Sequence, residues 1–350
     1  MVRVLAILLL LMAACKPELE GRSSLVEDMR VLAVRSTPPA AKPGDEVSFD
    51  TLYVDPDGPL DPDPLDWALC TARKGLAEPG TISGKCLERE ADSLESLGTG
   101  ATVMATIPMD ACQVFGPTPM TPEAGEPAAR PVDPDTTGGY YQPVRLLVPD
   151  DEQGDQYSVG TTRLTCGLGG ATQDQAAEFT RRFKPNENPE LESVVLRPGD
   201  DEQSLPELGS DDVLEVAAGE TVALGASWVD CPLESECGDG ICGEGEDATP
   251  DNCPEDCREP HGCRGSEPYV FFDPSTRKLV DRREAMRVSW FANTGTFDHD
   301  RTSITEDEAD EHSTVNNWTA PPESGDVRVW VVLRDDRGGV GWGSYQLRVQ

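Results

Sequence analysis

The sequence predicts a mainly β protein built as two β-sandwich domains. Three observations carry that expectation. Apolar runs of strand length recur throughout, each bounded by Pro, Gly or Asp. One strand-turn pattern is repeated in the second half of the chain. And 30 prolines among 350 residues leave little room for long helices.

The strands follow in order. Val31, Ala33 and Arg35 alternate with Leu32 and Val34, and Pro38, Pro39, Pro43 and Gly44 then make a turn. Val47, Phe49 and Thr51 alternate with Ser48, Asp50 and Leu52 in a second strand. A third begins at Trp67, and further short runs cover 103–107, 144–148 and 161–166. The acidic stretch from Asp55 to Asp66 reads as a turn, since its prolines restrict wrapping around an ion.

The pattern then recurs. Gly44 to Phe49, continuing to Tyr53-Val54-Asp55, aligns without gaps on Gly219 to Leu224, continuing to Trp228-Val229-Asp230. A strand precedes each copy, at 31–35 and 194–197, and a Trp-bearing strand follows each, at Trp67 and Trp290. The halves read as copies of one fold, spanning 26–170 and 191–350. Residues 171–184 are a short helix or extended linker, and 185–190 (PNENPE) mark the boundary.

The chain closes with Trp318, a Pro-Pro turn, an alternating run at 327–333, a hairpin turn from Asp335 to Gly339 and a last strand at 344–349. This W-T-A-P…V-x-V-x-D-x-x-G-G…V pattern resembles the closing strands of bacterial immunoglobulin-like domains of the polycystic-kidney-disease type. The resemblance covers roughly 285–350; together with the repeat it implies two immunoglobulin-like β-sandwich domains, and it says almost nothing about a ligand.

Residues 1–14 have the charged, apolar and small-residue regions of a signal peptide, and their apolar stretch is too short to span a bilayer. Met12-Ala13-Ala14-Cys15 resembles the lipobox of bacterial lipoproteins. That resemblance implies cleavage before Cys15, lipidation of Cys15, a polar tether over 15–25 and, with Lys16 next, placement at the outer membrane. Several acyl chains on one cysteine hold firmly where one would not.

The net charge of −36, from 65 acidic and 29 basic side chains, excludes nucleic acid as a partner, because that binding needs clustered Lys and Arg. Anionic headgroups would repel the chain, so lipid is expected to hold it at a membrane. Setting Cys15 aside leaves ten of the 11 cysteines, an even number for an exported chain. Cys70, Cys86, Cys112 and Cys166 lie in the first half; Cys231, Cys237, Cys242, Cys253, Cys257 and Cys263 lie in the second. All ten are expected in disulfides, paired within each half.

The second group belongs to an insertion over 231–268, placed where the first half simply continues to its Trp strand. Its segment CGDGICGEGEDATPDNCPEDC resembles a small cysteine-rich repeat of exported bacterial proteins, CGDGxCxxGE…NCPxDC, and less closely the Notch-type calcium-binding repeats. Three chemistries compete. Zinc would need tight CxxC pairs, which Cys237-x4-Cys242 and Cys253-x3-Cys257 lack. A disulfide-stapled loop with solvated acids needs no metal. Calcium would find oxygen ligands in Asp239, Glu244, Glu246, Asp247, Asp251, Asn252 and Asp256.

No catalytic motif stands out. The chain has three histidines, His261, His299 and His312; it has no G-x-S-x-G elbow, H-E-x-x-H helix or Walker loop. The neighbours of His299 in Asp298-His299-Asp300 point away from it on a strand, and Glu306 to Glu311 read as a solvated loop. The expected function is therefore a non-catalytic, lipid-anchored binding or scaffold module of the cell envelope, with an envelope protein or glycan as partner and calcium as the only candidate cofactor. The alternatives are a carboxylate-based envelope glycosidase, or a purely structural spacer.

Overall fold

The computed structural model describes residues 23–350 except 61–64, 76, 79–81, 89–91, 120–129, 150–153, 198–201, 232–261 and 309–310. In chain order the first sandwich contributes β1 (Arg30–Thr37), β2 (Ala40–Ala41), β3 (Glu46–Asp55), β4 (Gly58–Pro59) and β5 (Asp66–Cys70). After them come β6 (Leu94–Thr99), β7 (Thr102–Thr106), α1 (Ala111–Val114), β8 (Tyr141–Val148) and β9 (Gln156–Leu164). In one sheet β3 pairs with β1, β4 and β7; the other runs β2-β9-β8-β5-β6. Val47 and Phe49 of β3 meet Trp67 of β5 and Val144 and Leu146 of β8 between the sheets.

Helix α2 (Gln173–Arg182) leads out of the first sandwich. The second then contributes β10 (Leu191–Leu196), β11 (Gln203–Ser204), β12 (Leu214–Val216), β13 (Thr221–Trp228), β14 (Pro268–Asp273) and β15 (Lys278–Arg283). It closes with β16 (Met286–Ala292), β17 (Thr296–Phe297), β18 (Arg301–Ile304), β19 (Ser313–Thr319), β20 (Gly325–Asp335) and β21 (Val340–Val349). Its sheets run β11-β10-β13-β19-β17 and β12-β21-β20-β16-β18, and β14 and β15 form a separate hairpin. The last strand begins at Val340, four residues earlier than its apolar run suggests.

The repeat in the sequence is a repeat of topology. β1 pairs antiparallel with β3 as β10 does with β13. The two-residue β2 crosses to the opposite sheet and runs parallel to β9; β12 crosses in the same way and runs parallel to β21. Each Trp strand joins that second sheet, β5 beside β8 and β16 beside β20. The chain is thus mainly β, with two immunoglobulin-like sandwiches. A disulfide joins Cys231 to Cys263 across the insertion in the second.

The two sandwiches are stacked. Leu32, Ala33, Leu52 and Val54, on the outer face of the β1–β3 sheet, pack against Trp330, Val332 and Val340 of β20 and β21. The 327–333 run therefore does not alternate between core and water. Val327, Val329, Val331 and Leu333 fill the second core, while Trp330 and Val332 face the first sandwich. A strand covered on both faces reads as a continuous apolar run. Polar contacts fix the register of the stack: Arg334 Nη2 donates to the Leu32 carbonyl at 2.9 Å and Asn293 Nδ2 to that of Pro56 at 2.9 Å. Arg35 lies 4.0 Å from the centroid of the Trp342 ring while pairing with Asp50.

The described end of one expected connector and the whole of another turn out to be structural. The tether does not run to residue 25: the Ser24 carbonyl accepts from Ala292 N, and Val26 N donates to the Ala292 carbonyl, both at 2.9 Å. The boundary segment 185–190 is threaded into the joint. Asn186 is buried, and Asn188 donates to the Ser36 carbonyl of one sandwich and accepts from Val340 N of the other. A Cβ at Gly341 would lie 2.0 Å from the Pro189 carbonyl oxygen, so glycine there lets the linker pass.

Candidate binding cleft between the two sandwiches

The stack leaves a cleft of about 500 Å³ where the first sandwich, α2 and the β14–β15 hairpin meet. That volume lies within the range of small-molecule sites, roughly 300–1,000 Å³. Each wall has its own cause.

The first wall follows α1. Cys112 of α1 is bonded to Cys166, just beyond β9, and Pro117, Pro119, Pro131 and Pro134 stand along the chain that leaves this staple. The second wall is α2. A capping box, with Thr172 and Gln175 exchanging side-chain bonds, starts the helix. Phe179 stands one turn before Phe183, and their ring centroids are 5.3 Å apart. The third wall is the hairpin, which presents Tyr269, Phe271 and Phe272. Arg182 of α2 pairs with Asp281 of β15, and Gln175 Nε2 donates to the Arg277 carbonyl at 2.6 Å, so helix and hairpin are tied to each other. Gly138, at φ +75°, carries the 137–139 loop onto the hairpin; a Cβ there would meet the Phe271 ring at 3.1 Å.

Three cations, Arg163, Lys184 and Arg337, line the cleft. Arg163 of β9 donates from Nη1 to Thr137 Oγ1 at 2.7 Å and Tyr141 Oη at 3.0 Å, and from Nη2 to the Thr137 carbonyl at 2.9 Å. Both hydroxyls pass on to Asp135, each at 2.8 Å. Burial raises the Tyr141 hydroxyl to about 12 despite the opposing pull of Arg163, so it stays a neutral donor. Arg337 donates from Nη1 to Glu267 Oε1 at 2.6 Å, with Glu284 Oε1 at 3.3 Å, and from Nη2 to the Lys184 carbonyl at 3.0 Å. Its guanidinium lies 4.7 Å from the centroid of the Tyr269 ring.

Behind Arg337 sits a buried acidic knot. Glu267, Glu284 and Asp335 are all shut off from solvent. Asp335 Oδ1 accepts from Arg337 N and Gly339 N, both at 2.8 Å, and so shapes the turn that the sequence marks only as a hairpin. Burial pushes Glu267 upward against the pull of Arg337 and Lys184, and it pushes Glu284 well above the usual carboxylate range, with Asp335 and Glu267 adding to the effect. Burial also opposes the charge on Arg337, but Glu267, Glu284 and Asp335 more than offset it. Glu267 is the direct counter-ion of Arg337, and none of the three acids faces the cleft. Among the described lining residues Asp133 is the one carboxylate, Thr137 the one aliphatic hydroxyl, and no His, Ser or Cys occurs.

The sequence-derived candidates fall elsewhere. Cys70–Cys86, Cys112–Cys166 and Cys231–Cys263 are disulfides, each within its own half. Cys15, Cys237, Cys242, Cys253 and Cys257 lie outside the described residues, as do Asp239, Glu244, Glu246, Asp247, Asp251, Asn252 and Asp256. Among the described residues no group of three or more His, Cys, Asp or Glu side chains could hold a metal ion, and no helix is long and apolar enough to cross a membrane. Asp298, His299 and Asp300 occupy a loop between β17 and β18, not a strand; Asp298 accepts from Asn317 and Asp300 from Ser23. Glu306 is not simply solvated, since it pairs with Arg282.

Reading by sequence missed Arg163, Phe179, Phe183, Lys184, Tyr269, Phe271 and Arg337. A signal existed for the hairpin: an apolar run at 268–272, a D-P-S-T turn and the run Lys278-Leu279-Val280.

No family model and no curated protein matches the chain. Among solved structures, native Escherichia coli alpha-2-macroglobulin is 8% identical with a TM-score of 0.20, over 92% of this chain but only 17% of that one. The chicken CNTN1 FN1–FN3 domains are 9% identical with a TM-score of 0.19, over 89% of this chain and 68% of theirs. The C-terminal domain of the Streptococcus agalactiae AgI/II polypeptide BspA is 9% identical with a TM-score of 0.21, over 95% of this chain and 97% of its own. Likenesses of this size carry no argument about function, and the geometry of the cleft has to carry it.

Proposed function

We propose that this chain is a non-catalytic binding module of the cell envelope, held at the outer membrane by lipid on Cys15, whose ligand occupies the cleft between its sandwiches. The construction of that cleft carries the reading. Aromatic and proline side chains from three separate segments converge on one hollow, while the buried acids are spent on Arg337. A site with apolar walls and a few fixed polar groups is built to hold a ligand. A carboxylate glycosidase instead needs two acids facing each other about 5–9 Å apart across a cleft. Glu267 and Glu284 are enclosed beside Arg337, which suits a structural pair.

Two experiments test the proposal. Saturation-transfer NMR of a fragment library should find ligands for the soluble form beginning at Lys16, and Phe183→Ala/Phe271→Ala should abolish their signals. Ligands retained by that folded double variant would overturn the cleft assignment, and turnover of an envelope glycan would overturn the non-catalytic one. For the anchor, Cys15→Ser should shed the protein from membranes. If that variant stays membrane-bound and the wild type takes up no labelled fatty acid, the lipid reading fails.

A further inference from the structure

Resting on that binding reading, we infer that the ligand carries a carboxylate on an apolar body, and that Arg163 is its anion partner. The residue exposure of Arg163 is 8%, and among the described residues no carboxylate lies within ion-pair distance of it. Its contacts are a threonine hydroxyl, a threonine carbonyl and a tyrosine hydroxyl, and Asp135 reaches it only through those two hydroxyls.

Two other buried arginines are treated differently, whereas Arg283 donates to the Cys231 and Ser266 carbonyls. Arg145 pairs directly with Asp66, and Arg337 with Glu267 and Glu284. Burying a charge without a direct counter-ion is costly. With 65 acidic side chains, this chain had ample means to supply one. A guanidinium offers five N–H donors, and the three bonds to Thr137 and Tyr141 leave some of them for a ligand. Those bonds also hold the fork in place, so little is lost in ordering it when an anion arrives.

The body of the ligand follows from the walls. Tyr140, Phe179, Phe183, Tyr269 and Phe271 line the same cleft as Arg163 with apolar surface, and a hollow of about 500 Å³ suits a drug-sized molecule or a few residues of peptide. The net charge of −36 does not forbid an anion there. At physiological salt, charges more than about 8 Å away are largely screened, and among the lining side chains Arg163 and Lys184 stand against Asp133, while Arg337 is already paired with Glu267 and Glu284. A free carboxylic acid and the C-terminus of a peptide share this chemistry.

The test uses matched pairs. N-acetyl-phenylalanine and related small aromatic acids are titrated against the soluble protein beside their amides. Short peptides ending in Phe or Pro, with free or amidated C-termini, form the second arm. A charge-assisted bond in a dry site predicts that the acid of a pair binds about 10–100-fold more tightly than its amide. Arg163→Gln should bring the ratio close to one without abolishing amide binding, and Arg163→Lys should retain part of it. A preference confined to the small acids assigns a free acid, and one confined to the peptides assigns a C-terminus; either supports the inference. Equal binding of acid and amide overturns it while leaving the cleft reading intact, and binding by no member of any pair overturns both. Should Arg163→Gln fail to fold, a diazirine-bearing acid on the wild type decides. Acid-competed labelling within 163–184 or 269–274 is expected, and labelling elsewhere refutes the inference.

Discussion

Arg337 is the residue whose loss should be felt most, and the structure supplies the reasons. Its side chain is 1% exposed, against 0% and 1% for its partners Glu267 and Glu284. Arg337→Met removes the bond to Glu267, the bond to the Lys184 carbonyl and the contact with the Tyr269 ring, and it leaves Glu267 buried with its main counter-ion gone. Breaking a buried pair by removing one member costs about 3–5 kcal/mol. For a domain of this size that corresponds to a fall in Tm of about 6–20 °C. The assay is thermal and urea unfolding followed by circular dichroism. Adding Glu267→Gln should recover at least half of the loss, because a neutral amide still accepts from Cys263 N and needs no counter-charge. The deficit of the single variant should also shrink as pH falls from 7 toward 4, since the raised pKa of Glu267 lets it take up a proton. A loss below about 1 kcal/mol, or an equal deficit at both pH values, would refute the reasoning.

Three further outcomes are expected. Trp330→Ala empties the surface between the sandwiches without entering either core, so it should cost about 3–5 kcal/mol and split calorimetric unfolding into two transitions; one unshifted transition would contradict the stacked arrangement. Asp336 is raised to about 6, by burial first and Asp335 second, so the fold favours its protonated form. Its contribution is complete below the unfolded value near 3.9 and is lost as pH rises through 6. The separation is worth at most about 3 kcal/mol, about 1–2 after discounting for partial solvent contact, and Asp336→Asn should flatten urea stability between pH 4 and 6. Removing the Cys112–Cys166 bridge, whose partners are 54 residues apart, should cost about 4 kcal/mol of denaturant stability by loop entropy; a change below about 1 kcal/mol would mean that packing alone holds the proline wall.

Much of the fold was legible because it is local or repeated. Strand runs alternate, turns are punctuated by Pro and Gly, and the Gly44 and Gly219 segments announce the same strand pair twice. Pairing of the described cysteines within each half also followed from the economy of short loops. The cleft was far less legible. Arg163 stands on a strand whose alternation explains only that it leaves the first core, and Arg337 sits in a turn that reads as D-D-R-G-G whether or not anything packs on it.

The sequence by itself determined the fold class, the duplication and the places of the principal strands, since each depends on periodicities of two residues and on turn chemistry within a few positions. Only the tertiary structure decided that the sandwiches are stacked, because Trp330 and Val332 show their role when a partner surface from 270 residues or more earlier arrives. It decided that 185–190 is a buried splice, through contacts made on both sides at once. And it decided the cleft, whose walls come from 117–119, 131–140, 163–184, 269–274 and Arg337. No pattern along one chain records that such distant segments enclose the same hollow, because the energy that joins them is non-local packing of apolar surface, which has no direction and leaves no spacing to read.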